Sequence, residues 1–199
     1  MKIHPILFSI FCLLFVSLKA LPQSTEKIEN FTLTDVTNNR SVSLLDYKGS
    51  QGVVIIFTSH ACPYAKLYDS RIHNLAKEFQ GRGIQFLLIN SNTSTEDNDD
   101  SIEQMAAAAR QKGYSFPYLA DKEHRAAKMF GATKTPEAFV LQTNGGVFTL
   151  KYRGAIDDNP QMPNDVSAHY LREAIQAVLG KTNLSVVDRR ATGCMIKKE

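Results

Sequence analysis

The sequence predicts an α/β fold in which helices cover both faces of a mixed β-sheet. Two apolar segments, 52–57 and 83–89, have the pattern of strands buried on both faces, as parallel strands are. Each is followed by a segment in which apolar residues recur at helical spacing. Two pairs of short strands separated by turn residues predict antiparallel hairpins at either end of this α/β region. A sheet that contains both kinds of pairing is mixed.

The composition indicates one globular domain. The chain has 199 residues, of which 43% are hydrophobic and 22% charged. The absence of any run of 18 apolar residues excludes a multi-span membrane protein. The net charge of +3 is small and no basic block exceeds two residues, so no nucleic-acid-binding surface is expected.

The N-terminus has the layout of a secretory signal. Met1-Lys2 precedes an apolar run from Ile6 to Leu18, and Ala20 provides a small residue for cleavage. We therefore expect a signal peptide at 1–20, a mature domain at 21–199 and a location in the periplasm or cell envelope. Retention as a signal anchor is the alternative. Removal of Lys2 and Lys19 leaves a net charge of +3 − 2 = +1.

The first half of the domain is predicted to run hairpin, strand, helix, strand. Segments 31–36 and 41–45 flank the turn residues Asn38-Asn39. The buried strand 52–57 leads into a helix that starts at Pro63 and ends near 79, before two glycines. The strand 83–89 is followed by an acidic loop, 91–100, which is either a lid or a surface excursion.

The second half is predicted to end in a hairpin and a helix. Ser101 and Gln104 form a capping-box pattern before a helix over 102–111, and a short strand follows at 116–119. A brief helix over 123–129 precedes the hairpin 138–142 and 147–152, which turns at Asn144-Gly145-Gly146. The last helix is predicted over 165–179. The tail, 181–199, shows little periodicity but contains Gly193-Cys194.

Two cysteines, Cys62 and Cys194, survive removal of the signal, so one disulfide is possible. Cys62 lies where the buried strand turns into the helix that begins at Pro63. Free N–H groups and the positive end of the helix dipole favour a thiolate there, and the thiolate is the reactive form. A buried, inert cysteine is the structural alternative.

The segment from Phe57 to Ala65, Phe-Thr-Ser-His-Ala-Cys-Pro-Tyr-Ala, resembles the thioredoxin active-site segment, with Ala65 in place of a second cysteine. Further similar segments are 90–92, Tyr118 to Asp121, 135–137, 153–159 and 193–197. Together they resemble the peroxiredoxin-like branch of the thioredoxin superfamily, the redoxin or alkyl hydroperoxide reductase/thiol-specific antioxidant type. The resemblance implies a thioredoxin-like three-layer sandwich and redox chemistry at Cys62.

The resemblance also shows departures that bear on peroxidase activity. Peroxiredoxins carry Pro-x-x-x-Thr-x-x-Cys and a distant arginine that polarise the peroxide, whereas Ile55 and Ser59 stand at the first two positions here. Arg71, Arg82 and Arg110 fall on helices or a loop end. Efficient peroxide reduction is therefore not expected from the motif alone.

Thr135-Pro136 resembles the cis-proline segment of thioredoxins, which faces the active cysteine. The resemblance implies a cis bond and an extended Thr135 backbone that pairs with a substrate peptide.

Tyr64 is expected to form one wall of the pocket beside Cys62. His60 is either a proton donor that raises the thiolate fraction or a solvent-facing residue. Lys66 is expected to be solvated and Asp121 to be a helix cap rather than a base, while Ser59 is kept as a supporting residue.

Cys194 has three candidate roles. In the first, it resolves a Cys62 sulfenic acid or mixed disulfide, in place of the cysteine missing at Ala65. In the other two, it forms a structural disulfide or binds a metal.

The leading functional hypothesis is exchange with a protein or small-molecule disulfide, sustained by an unidentified thiol electron donor. Thiol peroxidase is one alternative. The other is a binding module for copper through His60, Cys62 and Cys194, since thiolate and imidazole suit that metal. No bound cofactor is indicated.

Overall fold

The computed structural model describes residues 26–93, 99–182 and 187–197. Eleven strands lie within these residues: β1 (Lys27–Ile28), β2 (Thr32–Asp35), β3 (Arg40–Ser43), β4 (Gly52–Phe57), β5 (Ile84–Asn90), β6 (Tyr118–Ala120), β7 (Lys134–Thr135), β8 (Glu137–Asn144), β9 (Val147–Gly154), β10 (Val187–Arg189) and β11 (Cys194–Met195). Nine form the central sheet, and β7 pairs with β11 in a separate two-stranded ladder.

The central sheet is mixed, as the sequence predicts. Its strand order is β1-β9-β8-β4-β5-β6-β2-β3, and β10 pairs with the C-terminal end of β9. Strands β4, β5 and β6 are parallel to one another, whereas β4 is antiparallel to β8 and β6 to β2. The predicted hairpins are β2–β3 and β8–β9. The two parallel strands with the longest apolar runs therefore lie in the middle of the sheet.

Helices cover both faces of this sheet. The four α-helices are α1 (Pro63–Phe79), α2 (Ile102–Lys112), α3 (Arg125–Phe130) and α4 (Tyr170–Leu179). Apolar side chains of α1, α2 and α4 share one core cluster with one face of β4 and β5. Those of α3 and of a short 3-10 helix at Leu44–Tyr47 share a second cluster with the other face.

Strand β4 contributes to both clusters because successive side chains of a strand point to opposite faces. Val54 and Ile56 belong to the cluster under α1, whereas Val53, Ile55 and Phe57 belong to the cluster under α3. All five side chains are fully buried. This burial anchors the end of β4 from which the loop to Cys62 departs.

The last helix begins later than predicted. Helix α4 starts at Tyr170 rather than at 165, and residues 163–165 form only one 3-10 turn. The Ser167 N–H donates to the Asp158 carboxylate, and the Asp158 N–H donates to the Ala168 carbonyl. These contacts hold 166–168 as a loop across the Asp158 turn. At α2, Ser101 caps the helix by accepting from the Gln104 N–H, as predicted, but the full capping box is not formed.

The tail is more ordered than its sequence pattern predicts. Strand β10 runs parallel to the end of β9, where Arg189 lies opposite Gly154. Gly154 has a φ of +127°, and a Cβ there would overlap the backbone of Arg189. A glycine at 154 therefore permits this close approach. Residues 187–189 and 194–195 are therefore strands, although the sequence of the tail shows little periodicity.

The predicted signal peptide lies outside the described residues. Within the described part of the chain, no helix has the length and apolar character needed to span a membrane.

Candidate active site

Cys62 lies at the junction between β4 and α1. Beyond the end of β4, the Thr58 N–H donates to the Ile89 carbonyl, which continues the pairing with β5 for one residue. Cys62 is the N-cap residue of α1, Pro63 is the first helical residue, and the Cys62 side chain makes no capping hydrogen bond. The residue is only 2% exposed. The predicted placement at a helix N-terminus is confirmed, and the helix dipole there favours the thiolate.

The Cys62 sulfur faces the backbone of Thr135. It lies 3.1 Å from the Thr135 carbonyl oxygen, and Thr135 itself is fully buried. The Thr135–Pro136 peptide bond is cis, as the resemblance implies. A carbonyl oxygen is the negative end of its dipole, so it favours a protonated thiol over a thiolate. The helix end and this carbonyl therefore act on the Cys62 thiol in opposite directions.

Cys62 is bonded to Cys194 in a disulfide that links positions 132 residues apart, with their Cα atoms 6.0 Å apart. Cys194 is also the first residue of β11, and it pairs with Thr135 in the antiparallel β7–β11 ladder. The two cysteines thus meet, as the resolving and structural hypotheses both require. The tail reaches the site as an extended strand.

Glu137 fixes the edge on which the tail lies. Its carboxylate accepts hydrogen bonds from the Thr133 N–H at 2.7 Å and from the Lys134 N–H at 2.9 Å. Glu137 pairs with Phe57 in the β4–β8 ladder and is 9% exposed. The carboxylate therefore ties the β7 edge to the strand that precedes Cys62. Sequence reasoning placed Glu137 in a similar segment but assigned it no role.

Asp100 is a buried carboxylate beneath the loop before Cys62. It is 1% exposed and accepts from the Ser59 hydroxyl at 2.7 Å, the Ala61 N–H at 3.3 Å and the Asn90 amide at 2.8 Å. These contacts connect the 59–61 loop to the end of β5. The sequence does not predict a role for Asp100, because the acidic run in which it lies is typical of a solvated loop. No local pattern marks Asp100 as buried.

The predicted supporting residues lie beside Cys62 but face different surroundings. Ser59 donates its hydroxyl proton to Asp100. The pKa of His60 is lowered from its ordinary value, mainly by burial and then by the positive charges of Lys112 and Lys66. A neutral imidazole is therefore favoured at pH 7. Lys66 is exposed, as expected, and Tyr64 is half-buried in the first turn of α1.

A second buried network joins α1 to the 157–160 turn. Asp157 accepts from the Tyr68 hydroxyl at 2.8 Å and forms an ion pair with Arg71 at 2.6 Å. Arg71 also donates to the carbonyl oxygens of Asn159 and Pro160. The Arg71 guanidinium is thereby committed to holding the 157–160 turn against α1.

Asp121 is a helix cap, as the sequence indicates. Its carboxylate accepts from the Ala126 and Ala127 N–H groups at the start of α3 and from the Ser91 hydroxyl. Carboxylates are favoured at helix N-termini because free N–H groups lie there. These contacts account for Asp121 structurally.

The copper hypothesis finds no support among the described residues. Within them, no group of three or more His, Cys, Asp or Glu side chains is placed to hold a metal ion. Metal binding by cysteine requires a thiolate, and both sulfurs are bonded to each other here.

A model of a known protein family matches more than half of this chain. The model of the AhpC/TSA family matches residues 25–149. The chain belongs to the AhpC/TSA family. No curated protein matches the sequence of this AhpC/TSA protein.

Solved structures share the fold of this AhpC/TSA protein. An uncharacterized conserved protein from Geobacillus kaustophilus is 31% identical, with a TM-score of 0.77; the match covers 88% of this chain and 92% of that one. A thiol:disulfide interchange protein from Chlorobium tepidum TLS is 16% identical, with a TM-score of 0.58, over 78% and 97% of the two chains. Peroxidoxin BcpB from Mycobacterium tuberculosis is 19% identical, with a TM-score of 0.55, over 81% and 98%. The AhpC/TSA protein therefore has the thioredoxin-like α/β fold.

Proposed function

We propose that the mature AhpC/TSA protein is an exported thiol–disulfide oxidoreductase with Cys62 as nucleophile and Cys194 as resolving cysteine. The observation that carries the proposal is the Cys62–Cys194 disulfide at the N-terminus of α1, beside the Thr135 backbone. A purely structural disulfide needs neither the helix N-terminus nor the adjacent strand edge. A thiol that attacks a peptide disulfide uses both, the first for thiolate formation and the second for docking.

The reaction follows from thiol–disulfide exchange. The Cys62 thiolate attacks one sulfur of the substrate disulfide, which forms a mixed disulfide and releases the other sulfur as a thiolate. The Cys194 thiolate then attacks the Cys62 sulfur, which releases the second substrate thiolate and closes the Cys62–Cys194 bond. Two electrons pass from the enzyme to the substrate. An external thiol donor of unidentified nature reopens the bond by the same exchange in two steps.

The remaining site residues have proposed binding and supporting roles. Thr135 and Pro136 present the backbone edge for a substrate peptide, and Tyr64 forms a wall at the first turn of α1. Ser59 supports the loop through its hydrogen bond to Asp100. His60 stands beside the site as a neutral imidazole that can accept a proton.

Thiol-dependent peroxide reduction is the second candidate, favoured by the burial of Cys62 in a family fold shared with a peroxidoxin. The Cys62 thiolate would take one oxygen from the peroxide, giving a sulfenic acid and an alcohol or water. Cys194 would then displace water to form the same disulfide. The hydroxyl of Ser59 donates to Asp100 instead of being free to donate to a peroxide at Cys62. This contact favours disulfide exchange over peroxidase activity.

The proposal is tested by intact mass measurement on the reduced mature protein. Samples are mixed with hydrogen peroxide, with a small disulfide or with insulin, and the mass is followed over time. Closure of the cysteine pair removes two hydrogens, about 2 Da. We expect the protein to lose about 2 Da rapidly with disulfides and slowly with peroxide. Rapid loss with peroxide alone would establish the peroxidase instead, and no loss with any oxidant would contradict both.

Export is proposed from the N-terminal pattern and from the stability of a disulfide outside the cytosol. The mature protein recovered from the cell envelope should begin at residue 21, as intact mass would show. A mass that includes residues 1–20 would indicate a retained anchor.

A further inference from the structure

The tail occupies the edge on which a substrate peptide is proposed to dock. Cys194 pairs with Thr135 and Met195 with Lys134. The Ile196 N–H donates to the Thr133 carbonyl at 3.0 Å, and the Lys197 N–H donates to the Asn92 side chain at 2.8 Å. The tail therefore binds the β7 edge as a peptide would, with its cysteine sulfur on Cys62.

The residue before the tail cysteine has no room for a side chain. A Cβ at Gly193 would lie 2.7 Å from the Thr135 carbonyl carbon and 3.1 Å from the Pro136 nitrogen, and closer still to the Thr135 carbonyl oxygen. These neighbours are backbone atoms, which cannot rotate away as a side chain can. A strand in this register therefore needs glycine at the position before its cysteine.

The residues after the tail cysteine alternate between solvent and core. Met195 is 56% exposed, whereas Ile196 is 8% exposed and packs in the core cluster under α3. Successive side chains of a strand point to opposite sides, so the buried site is two positions after the cysteine. This site takes an aliphatic side chain, and the position between is free to vary.

We infer that the protein substrate of Cys62 carries the tail's own pattern, Gly-Cys-x-aliphatic, at the cysteine that is attacked. The inference rests on the proposed function and names the substrate class for it. The partner is a protein segment that adds to the β7 edge as an extended strand, with backbone hydrogen bonds for affinity and the two neighbouring positions for specificity.

The exchange balances with such a segment in place of the tail. The Cys62 thiolate attacks the sulfur of the substrate cysteine, and the partner sulfur of the substrate disulfide leaves as a thiolate. The substrate strand then gives up the β7 edge, and Cys194 takes it. The Cys194 thiolate attacks the Cys62 sulfur, the substrate cysteine leaves as a thiolate, and the enzyme is left oxidised by two electrons.

The same edge cannot hold the tail and a substrate strand together. The oxidised protein has its edge filled and its nucleophile bonded, so only the reduced protein binds a substrate strand. The tail thereby acts as a competing ligand that is tethered to the same chain.

The test uses the reduced mature protein and short peptides whose cysteine is joined to 5-thio-2-nitrobenzoate. Attack by Cys62 on the peptide sulfur releases the coloured thiolate, which gives the rate. The parent peptide copies residues 191–197, and three variants replace its Gly by Val, its Ile by Asp or its Met by Lys. The Met variant is the matched control because Met195 is exposed. Each rate is divided by the rate of that peptide with dithiothreitol.

The inference expects the Gly and Ile variants to react about tenfold more slowly than the parent, with the Met variant within about twofold. The free reagent 5,5′-dithiobis(2-nitrobenzoate), applied to the Cys194→Ser variant, reports Cys62 reactivity without a peptide. Equal normalised rates for all four peptides, with normal reactivity toward the free reagent, would overturn the inference and leave the proposed function standing. Failure to react even with the free reagent would overturn both.

Discussion

Cys194 lies opposite Thr135 in an antiparallel ladder, so the residue that closes the disulfide with Cys62 also covers the backbone beside it. The tail is thus bonded to the nucleophile and hydrogen-bonded to the docking edge at the same place. Any change that prevents the strand from lying on this edge should also weaken the disulfide.

Gly193→Ala should make the Cys62–Cys194 disulfide easier to reduce. The added Cβ meets the Thr135 backbone, so the tail has to shift away from the ladder. Equilibration in glutathione buffers, followed by thiol alkylation and mass measurement, should show a larger reduced fraction than in the unaltered protein. Gly49→Ala is the matched control, because a Cβ at Gly49 meets nothing within 4 Å. Equal reduced fractions for the two variants would contradict the steric role of Gly193.

The helices and buried strands were predictable because their signals are local. The run 52–57 and the helical spacing after Pro63 specify their elements without reference to distant residues. The tail gave no such signal, since β10 and β11 are two or three residues long and their pairing partners are far away in sequence. The resemblance brought Cys194 to the site as a candidate, but not the strand on which it lies.

Two substitutions of Asp100 should distinguish the hydrogen bonds that its carboxylate accepts from its negative charge. Asp100→Ala leaves the Ser59 hydroxyl, the Ala61 N–H and the Asn90 amide without this acceptor, and should cost about 2–4 kcal/mol of unfolding free energy. Asp100→Asn keeps an acceptor oxygen, while the Ser59 hydroxyl can turn to accept from the new amide. Urea unfolding should therefore show a smaller loss for Asn than for Ala.

The Asp100→Asn variant should also have a lower pKa at the Cys62 thiol, because a negative charge next to the loop disfavours the thiolate. The pH dependence of iodoacetamide alkylation, measured in a Cys194→Ser background, gives this pKa. A thiol pKa that rises or stays constant would rule out an electrostatic effect of Asp100 on Cys62.

His60→Gln should leave Cys62 alkylation within about twofold of the unaltered rate at pH 7.5, because a neutral imidazole adds no positive charge. The lowered pKa of His60 also fixes the sign of its effect on stability. In the pH range between the folded value and the ordinary value of 6.5, the unfolded chain binds more protons, so stability falls on acidification.

Unfolding free energies of His60→Gln and the unaltered protein at pH 7.5 and pH 5 check this sign. The variant should lose less stability on acidification. A larger loss in the variant would mean that His60 is stabilised as the cation in the folded protein.

Glu137→Ala should loosen the docking edge. Two backbone N–H groups, those of Thr133 and Lys134, lose their acceptor, which should lower the unfolding free energy by about 1–3 kcal/mol. The reaction with the parent peptide, which copies residues 191–197, should slow more than the reaction with free 5,5′-dithiobis(2-nitrobenzoate). Glu123→Ala is the control, since the Glu123 side chain is 71% exposed. Equal slowing toward peptide and free reagent would show that Glu137 acts on Cys62 itself rather than on the edge.

The site residues divide by how their roles arise. Cys62 could be placed from its own neighbourhood, because a strand, a short loop and Pro63 define a helix N-terminus. Asp100 and Glu137 act through contacts that depend on the folded backbone, and their sequence surroundings are those of ordinary surface carboxylates. Only the structure brings these two carboxylates beneath the loop and the edge that serve Cys62.

The reduced Cys194→Ser variant tests the pairing of nucleophile and resolver. Without Cys194, the Cys62 thiolate can still attack a substrate disulfide, but the second exchange cannot follow. Loss of a disulfide that closes this long loop should also lower the unfolding free energy by about 2–5 kcal/mol relative to the oxidised protein. Stability is therefore recorded on the same sample, and Cys62→Ser serves as the variant that cannot form an adduct at position 62.

The most direct measurement is the lifetime of the mixed disulfide between Cys62 and a Gly-Cys-Met-Ile peptide, followed by intact mass in the unaltered protein and in Cys194→Ser. A transient adduct is expected in the unaltered protein, a persistent one in Cys194→Ser and none at position 62 in Cys62→Ser. A persistent adduct of equal lifetime in the first two proteins, with only the stability changed, would make Cys194 a structural cysteine and contradict its role as the resolving cysteine.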